Sequence, residues 1–403
     1  MSPKPLEGIL VLDLSRVLAG PWCTMVLGDM GARVIKVESL SGDDTRAYGP
    51  PFAAGESLYF LSINRNKESV TLDFQKPEGA ALLRKLVARA DVLIENFRPG
   101  TLERHGFGYA DCAALNPRLV YASITGYGQE GPWRDRPGYD LVTQGEGGVM
   151  YLTGQADGPP LKCGVSQADI TTGMWMVGGI TTALYVRERS GTGQQIDLAL
   201  ADSQLSLLGF AGADWLVAGH EPARMGNLHP MLAPYATMAA SDGWFNVAVG
   251  TPGQWRAFCT AVERPELADD ARFATNADRV RHREALDDIL LPLFRARPRA
   301  YWLARLAAAD VPSGAVRKVS EALESEQAAA RNMVVTLPHP TIGPIRQVGL
   351  PLNFSATPGA PRSAPPRLGE HTDAVLAELC GTTADELADL RSRGIVGAPP
   401  TGS

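Results

Sequence analysis

The N-terminal third of the chain alternates short apolar runs with helical patterns, and this alternation constrains the fold more than any other feature. Residues 8–15 (GILVLDLS) form a nearly continuous apolar run, typical of a strand covered on both faces of a sheet. A predicted helix follows at 21–32, with Pro21 in its first turn and Gly31 at its end. Strands that alternate with helices pair in parallel through right-handed crossovers, so the pattern predicts a layered α/β domain.

The same alternation continues along the chain. It predicts a helix at 77–90 and strands at 33–39, 69–74, 91–97, 118–124 and 195–200. The segment 170–189 is a long predicted helix that is apolar nearly all round and contains Gly173, Gly178 and Gly179. Such a helix is expected to be deeply buried, with the glycines allowing close approach of another backbone.

The character of the sequence changes after this first part. Residues 224–330 predict a smaller helix-rich domain, opened by a strand at 244–249 and followed by helices near 252–262, 279–294 and 300–309. Eight prolines between 338 and 366 exclude a central strand or a helix interior there, so we expect an extended return to the first domain and a last helix at 372–379. The expected domain limits are 1–223, 224–330 and 331–403.

Composition and charge narrow the class of protein. The 403 residues include 38 Lys and Arg against 44 Asp and Glu, a net charge of −6, and no basic run suited to nucleic acid. The five cysteines are widely spaced without a CxxC pair, which argues against a disulfide framework or a metal site. Neither a signal-peptide core nor an apolar stretch of membrane-spanning length is evident. We therefore expect a cytoplasmic protein with no nucleic-acid or membrane partner.

Common catalytic motifs are missing, and one carboxylate remains. Residues 15–21 (SRVLAGP) replace the G-x-G-x-x-G of a dinucleotide site, and no P-loop or G-x-S-x-G turn occurs. Asp169 lies at the start of the apolar helix. Asp favours the N-cap position, so this residue is predicted to cap the helix. A compatible role is that of a nucleophile, since a carboxylate at the positive end of a helix stays ionised while partly stripped of water.

Nine segments, taken together and in order, carry a resemblance to a known family. They are VLDLSRVLAGPWCTMVLGDMGARVIKVE (11–38), GDDTR (42–46), NRNKESVTLDF (64–74), ADVLIENFRPG (90–100), SITGYGQEGP (123–132), GYDL (138–141), QADITTG (167–173), GTGQQIDLAL (191–200) and LGEHTD (368–373). The chain resembles the class III coenzyme A transferases, which include formyl-CoA transferase, carnitine CoA-transferase and α-methylacyl-CoA racemase. The resemblance implies a Rossmann-like large domain built from both chain ends, a smaller α+β domain, and an interlocked homodimer closed by residues 338–366.

The resemblance also implies a mechanism and its residues. Asp169 falls at the family's nucleophilic aspartate, which forms an aspartyl–acyl anhydride and then an aspartyl-CoA thioester. Coenzyme A is a co-substrate, no tightly bound cofactor is implied, and the partners are an acyl-CoA and a small carboxylic acid. The matching substrate- and CoA-binding positions are Leu18, Ala19, Arg46, Leu72, Gln75, Asn96, Phe97, Arg98, Arg104, Tyr139 and Asp140, with Gly250 and Gly253 in a loop predicted to cover the aspartate.

Two alternatives to a transferase stay open at this point. An acyl-CoA racemase needs a second base, which the family supplies as a histidine before an aspartate; this chain has Tyr139 before Asp140, and tyrosine is a poor base at neutral pH. A non-catalytic CoA-binding protein on the same fold is the other alternative, disfavoured because Asp169 is kept within QADITTG.

The substrate acids are the least determined part. Leu18 stands where formyl-CoA transferase has a glutamine, which disfavours oxalate and formate, and carnitine would need an aromatic cage. We expect succinyl-CoA as donor and a C4–C5 dicarboxylate or hydroxy-dicarboxylate as acceptor. Arg46, or else Arg16 beside Leu18, would hold the distal carboxylate through a bidentate contact.

Overall fold

The computed structural model describes residues 3–398, which form two compact units. Unit 1 contains the described residues of Met1–Val149, Lys162–Phe210 and Glu326–Ser403, and unit 2 contains Met150–Leu161 and Ala211–Ser325. The domain limits expected from the sequence stay a prediction.

Unit 1 is built around a six-stranded parallel sheet. The strands of the described chain are β1 (Leu10–Asp13), β2 (Arg33–Glu38), β3 (Phe52–Ala53), β4 (Glu56–Ser57), β5 (Lys67–Thr71), β6 (Val92–Glu95), β7 (Val120–Thr125), β8 (Gln195–Ala199), β9 (Tyr235–Ala240), β10 (Gly243–Ala248), β11 (Ser313–Ala315), β12 (Val334–His339) and β13 (Gly343–Val348). The large sheet has the order β5-β2-β1-β6-β7-β8, with every neighbouring pair parallel. Counted along the chain, these strands run 3-2-1-4-5-6, the order of a doubly wound Rossmann-type sheet. The predicted α/β class with a parallel central sheet is confirmed.

Helices cover both faces of this sheet. The α-helices are α1 (Ala19–Asp29), α2 (Leu58–Ile63), α3 (Pro77–Val87), α4 (Tyr109–Leu115), α5 (Asp140–Glu146), α6 (Val149–Leu152), α7 (Gln167–Ser190), α8 (Leu200–Ser206), α9 (Gly209–Ala213), α10 (Pro252–Ala261), α11 (Asn276–Arg281), α12 (Arg283–Arg295), α13 (Arg299–Ala308), α14 (Val319–Leu323), α15 (Glu326–Ala330), α16 (Thr372–Cys380) and α17 (Ala384–Ser392). Along β1, Val11 packs into the core shared with α1 and α7, while Leu12 packs into the core shared with α3 and α16. Alternate residues of a strand point to opposite faces, so a sheet buried on both sides needs the continuous apolar run that this strand has.

Unit 2 combines a three-stranded antiparallel sheet with helices. Its strands have the order β11-β10-β9, and its core includes Phe258, Phe294 and Trp302 from α10, α12 and α13. The single helix predicted at 279–294 is two helices, α11 and α12, which meet at His282.

Two sequence expectations in unit 1 are wrong in detail. The helix predicted to be buried all round, α7, buries Met176 and Ile180 but leaves Trp175 57% and Tyr185 58% exposed in the single chain. The proline-rich return begins as a hairpin of β12 and β13, in which Pro338 lies opposite Pro344. Each hairpin strand has one partner only, and a missing N–H is tolerated in such an edge strand. The return segment 349–366 has no helix or strand.

No helix within residues 3–398 has the length and apolar character needed to cross a bilayer.

Candidate active site

The site lies where the strand order of the large sheet reverses. β1 has β2 on one side and β6 on the other, so the connections that leave these strands run in opposite directions and open a crevice at their carboxyl ends. Residues 16–19 after β1, 96–99 after β6 and 124–126 at the end of β7 line one cavity of about 360 Å³. Ligands of doubly wound sheets bind at such a crevice.

Asp169 lines this cavity from the N-terminal turn of α7. Its side chain is partly buried, and its carboxylate makes no hydrogen bond with any residue between 3 and 398. Burial, followed by the nearby negative charge of Asp140, raises the pKa of Asp169 to about 7. The sequence led us to expect a carboxylate that stays ionised at the positive end of the helix; instead, loss of hydration outweighs that helix effect.

The capping role belongs to Asp140. The N-cap of α7 is Ser166, without a side-chain cap, and the Oδ1 atom of Asp140 accepts hydrogen bonds from the backbone N–H of Ala168 at 2.8 Å and of Asp169 at 3.4 Å. The Nε2 atom of Gln144 donates to Asp140 Oδ2 at 2.7 Å, which fixes the carboxylate. Interpreting Asp169 as an N-cap is therefore wrong, and the ordinary structural reason for an aspartate at this position is removed.

The loop between β1 and α1 forms a second wall of the cavity. Val17 has a φ of 67°, a left-handed conformation that a β-branched residue rarely adopts. Leu18 and Ala19 follow it, both buried and both facing the cavity at the start of α1. Their backbone N–H groups have no acceptor among the described residues, as expected for the first N–H groups of a helix. They are donors available to a ligand.

A buried ion network supports this loop from below. Lys67 Nζ donates to Asp13 Oδ2 at 3.0 Å and to the carbonyl of Pro21 at 2.9 Å, and Lys36 Nζ donates to the carbonyl of Ser15 at 2.8 Å. Burial lowers the pKa of Lys67 to about 8. Burial opposes ionisation of Asp13, but the two lysines outweigh it and lower the pKa of Asp13 to about 2. The network holds the backbone of the β1–α1 connection at several points.

The structure brings together most of the predicted site residues that belong to unit 1. Those that line the cavity with Asp169 are Leu18, Ala19, Asn96, Phe97, Arg98 and Tyr139. Asp140 reaches the site through its hydrogen bonds to the N-terminus of α7.

Other predicted residues lie elsewhere. Leu72 is buried and pairs with Val396 in an isolated bridge, while Gln75 is exposed away from the cavity. Arg104 is exposed, and its Nη2 donates to the hydroxyl of Thr101, a cavity residue, at 3.3 Å.

Arg46 does not line the cavity and is committed to a different contact. It forms a bidentate pair with the buried Glu38, at 2.7 and 2.8 Å, and stacks on the ring of Phe60 at 3.7 Å. Gly250 and Gly253 lie in unit 2, Gly250 in the turn between β10 and α10 and Gly253 in the first turn of α10. The Gly250 N–H donates to Gln254 Oε1 at 2.9 Å. The predicted covering of Asp169 by this loop stays a prediction.

Two cavity arginines, Arg134 and Arg136, were missed by the sequence reasoning. The signal available was their position just before the GYDL motif, in an otherwise exposed polar stretch. Within residues 3–398 no group of three or more metal-ligating side chains is suited to hold an ion.

Comparison with known proteins places this geometry in context. The model of CoA-transferase family III matches residues 6–372. The succinate–glutarate CoA-transferase of Agrobacterium fabrum is 44% identical over 382 residues, 93% of this chain and 96% of that protein. The acetyl-CoA:oxalate CoA-transferase of Acetobacter aceti is 42% identical over 369 residues, 89% of this chain and 93% of that protein. The crystal structure of a CAIB/BAIF family protein from Brucella suis is 44% identical with a TM-score of 0.85, covering 94% of this chain and 100% of that one.

A Rossmann-type sheet whose switch-point crevice contains a carboxylate without a hydrogen-bond partner among residues 3–398 defines an α/β protein with a ligand-binding crevice. The chain belongs to CoA-transferase family III, and it is an enzyme that transfers coenzyme A.

Proposed function

We propose that the enzyme moves coenzyme A from an acyl-CoA to a carboxylic acid, with Asp169 as the nucleophile. The observation that carries this proposal is the state of the Asp169 carboxylate, which lines the cavity, makes no hydrogen bond to a described residue and is not the cap of its helix. A carboxylate held without partners and partly stripped of water is reactive toward an electrophilic carbonyl. The pKa of about 7 leaves a large ionised fraction at neutral pH.

The steps balance without any further reactant. A carboxylate oxygen of Asp169 attacks the thioester carbonyl, and the C–S bond breaks to give an aspartyl–acyl anhydride and the CoA thiolate. The thiolate attacks the aspartyl carbonyl and releases the donor acid, leaving an aspartyl-CoA thioester. The acceptor carboxylate then attacks that thioester, and the returning thiolate attacks the acceptor's acyl carbon to restore Asp169. Each tetrahedral oxyanion needs N–H donors, a role suited to the unpaired backbone groups of Leu18 and Ala19.

The size of the cavity fits the reacting end of an acyl-CoA. About 360 Å³ is near the lower limit for small-molecule sites, enough for the reacting acyl group and the thiol end of the coenzyme. The remainder of coenzyme A then extends over the arginine-bearing rim, where Arg98 and Arg134 are exposed. Local cations of this kind suit a polyanionic substrate on a protein of net charge −6.

Trapping of the intermediate tests the mechanism directly. Hydroxylamine added together with an acyl-CoA should inactivate the enzyme and leave a hydroxamate on Asp169, read by mass spectrometry of the peptide. Asp169→Asn, which keeps the size of the side chain but not the anionic oxygen, should lose essentially all transfer while still binding coenzyme A. Undiminished turnover of that variant would refute the proposed nucleophile.

For the substrates, we propose succinyl-CoA as donor and a C4–C5 dicarboxylate or hydroxy-dicarboxylate as acceptor. The name of the Agrobacterium relative supports glutarate, whereas the Acetobacter relative is named for oxalate. Leu18 offers an apolar surface and no side-chain hydrogen bond to a small polar acyl group. A panel of acids, read by chromatography of the CoA esters, decides the matter: oxalate or a monocarboxylate favoured tenfold in kcat/KM, about 1.4 kcal/mol, would overturn the dicarboxylate assignment but not the transferase.

We further propose that two chains form an interlocked homodimer. α7 leaves several large apolar side chains exposed in the single chain, among them Met174, Trp175 and Tyr185. Several large exposed apolar side chains on one helix are typical of a surface that another subunit covers.

A further inference from the structure

Four arginines line the cavity that contains Asp169, and they differ in what their side chains already contact. They are Arg16, Arg98, Arg134 and Arg136. Arg136 donates to Glu146 at 2.6 Å and lies over the rings of Tyr127 and Trp133. Arg98 and Arg134 are exposed, and Arg134 pairs with its neighbour Asp135 at 3.7 Å. Arg16 lies in the β1–α1 loop itself, two residues before Leu18.

The backbone of Arg16 is held in place by Asn96. Asn96 Oδ1 accepts from the Arg16 N–H at 2.8 Å, and Asn96 Nδ2 donates to the Arg16 carbonyl at 2.7 Å. Both polar atoms of the amide are therefore used on one residue, across 80 positions of sequence. This double contact joins the loop after β1 to the loop after β6, so Arg16 projects from a fixed point at the switch crevice.

The guanidinium of Arg16 lies 5.3 Å from the centre of the Phe97 ring, and its charge is paired only at the surface. Its ion pair is with Asp44 at 3.3 Å, and the two side chains are 50% and 54% exposed. Exposed pairs of this kind contribute little stability, so an incoming carboxylate displaces Asp44 at small cost. Arg46, the other arginine considered for this role, has no such freedom because its bidentate contact is with the buried Glu38.

We propose that Arg16 is the specificity-determining residue for the distal carboxylate of a dicarboxylic substrate, and that Asn96 is the residue that positions it. This inference rests on the proposed transferase function. An arginine fork binds a carboxylate in a bidentate manner, and the adjacent Leu18 and Ala19 give the methylene chain an apolar wall. A substrate with its reacting carbonyl at Asp169 then places its second carboxylate at Arg16.

The test compares two donors of equal length, succinyl-CoA and butyryl-CoA, which differ in the distal carboxylate. The wild-type enzyme should prefer succinyl-CoA by at least tenfold in kcat/KM. Arg16→Gln should reduce that preference to threefold or less by losing rate with succinyl-CoA alone, and Arg16→Lys should give an intermediate preference because it keeps the charge without the fork. Asn96→Ala should lower the preference in the same direction, mainly through the KM for succinyl-CoA.

Arg134→Gln is the matched control, since it removes the same charge from the same cavity. It should affect both donors alike and leave the preference unchanged. An Arg16→Gln variant that weakens both donors equally would assign Arg16 to the coenzyme instead, and one that keeps the wild-type preference would also overturn the proposal. Absence of transfer by the wild-type enzyme with every donor would instead refute the proposed function itself, so the two failures are distinguishable.

Discussion

Replacing Asp169 with asparagine should have two effects: the folded protein should become more stable, and transfer activity should be lost. The reason is the surroundings of the carboxylate, in which burial and the charge of Asp140 both disfavour the ionised form. The wild-type protein carries that charge at pH 8, whereas asparagine is neutral at every pH. A gain in stability on removal of this carboxylate is the result expected if the site is arranged for reactivity and not for folding.

The size of the effect follows from the raised pKa. The folded pKa is about 7 and the ordinary value is 3.8, a difference of 7 − 3.8 = 3.2. Because the folded state binds the proton more tightly, wild-type stability falls as the pH rises between these values and levels off above 7. The loss is about 1.5 kcal/mol at pH 5 and about 4 kcal/mol at pH 8, from 1.36 kcal/mol for each pH unit. Water at the open side of the cavity screens part of this, so we expect the advantage of the variant to grow by about 1–2.5 kcal/mol from pH 5 to pH 8.

Urea denaturation of the wild type and of Asp169→Asn, followed at pH 5, 6, 7 and 8, measures this growth. Asp157→Asn is the control, because Asp157 is exposed and forms no hydrogen bond or ion pair with a described residue. The control should stay within about 0.5 kcal/mol of the wild type at each pH. An advantage of Asp169→Asn that is independent of pH, or that shrinks as the pH rises, would refute the electrostatic reasoning.

Three further predictions follow from the same site and its support. The kcat/KM of the wild type should rise with pH through about 7 as Asp169 ionises, and Asp140→Asn should move this rise to lower pH because it removes a negative charge; an unmoved profile would exclude Asp140 as a cause. Lys67→Met should destabilise the protein by about 3–5 kcal/mol in urea melts, since it removes the ion-pair partner of the buried Asp13, and a change below 1 kcal/mol would contradict that pairing. Sedimentation at nanomolar concentration should still show a dimer of twice 43.0 kDa, and a folded monomer would contradict the interlocked arrangement.

The parallel sheet could be predicted because its strands are buried on both faces. A strand such as β6, predicted at 91–97 and observed at Val92–Glu95, begins with three apolar residues in succession, and that run is visible in a single sequence. The helix that carries Asp169 was predicted at 170–189 and begins three residues earlier, at Gln167. Local patterns of this kind predict that a helix is present, but the residue at which it begins depends on the partners that cap its first turn.

The contacts that decide the site are distant in sequence and escaped prediction. Asn96 and Arg16 are 80 residues apart, and Asp140 lies 28 residues from the N–H of Ala168 that it caps. Arg46 was a reasonable substrate ligand within GDDTR, yet its pairing with Glu38 is a property of the folded loop and not of the motif. A sequence motif indicates which residues belong to a site, but the role of each residue becomes clear only from its hydrogen bonds in the folded protein.

Two aspartates lie close to the N-terminus of α7: Asp169 in its first turn, and Asp140, the first residue of α5. The free N–H groups of a helix N-terminus attract an anion and usually lower the pKa of a carboxylate there. In this protein Asp140 takes those N–H groups, and its charge is then one of the two causes that raise the pKa of Asp169. The helix is capped, while the carboxylate in the cavity stays without a stabilising partner. The arrangement that secures the end of α7 is therefore the same one that raises the pKa of Asp169, and loss of Asp140 should alter both properties together.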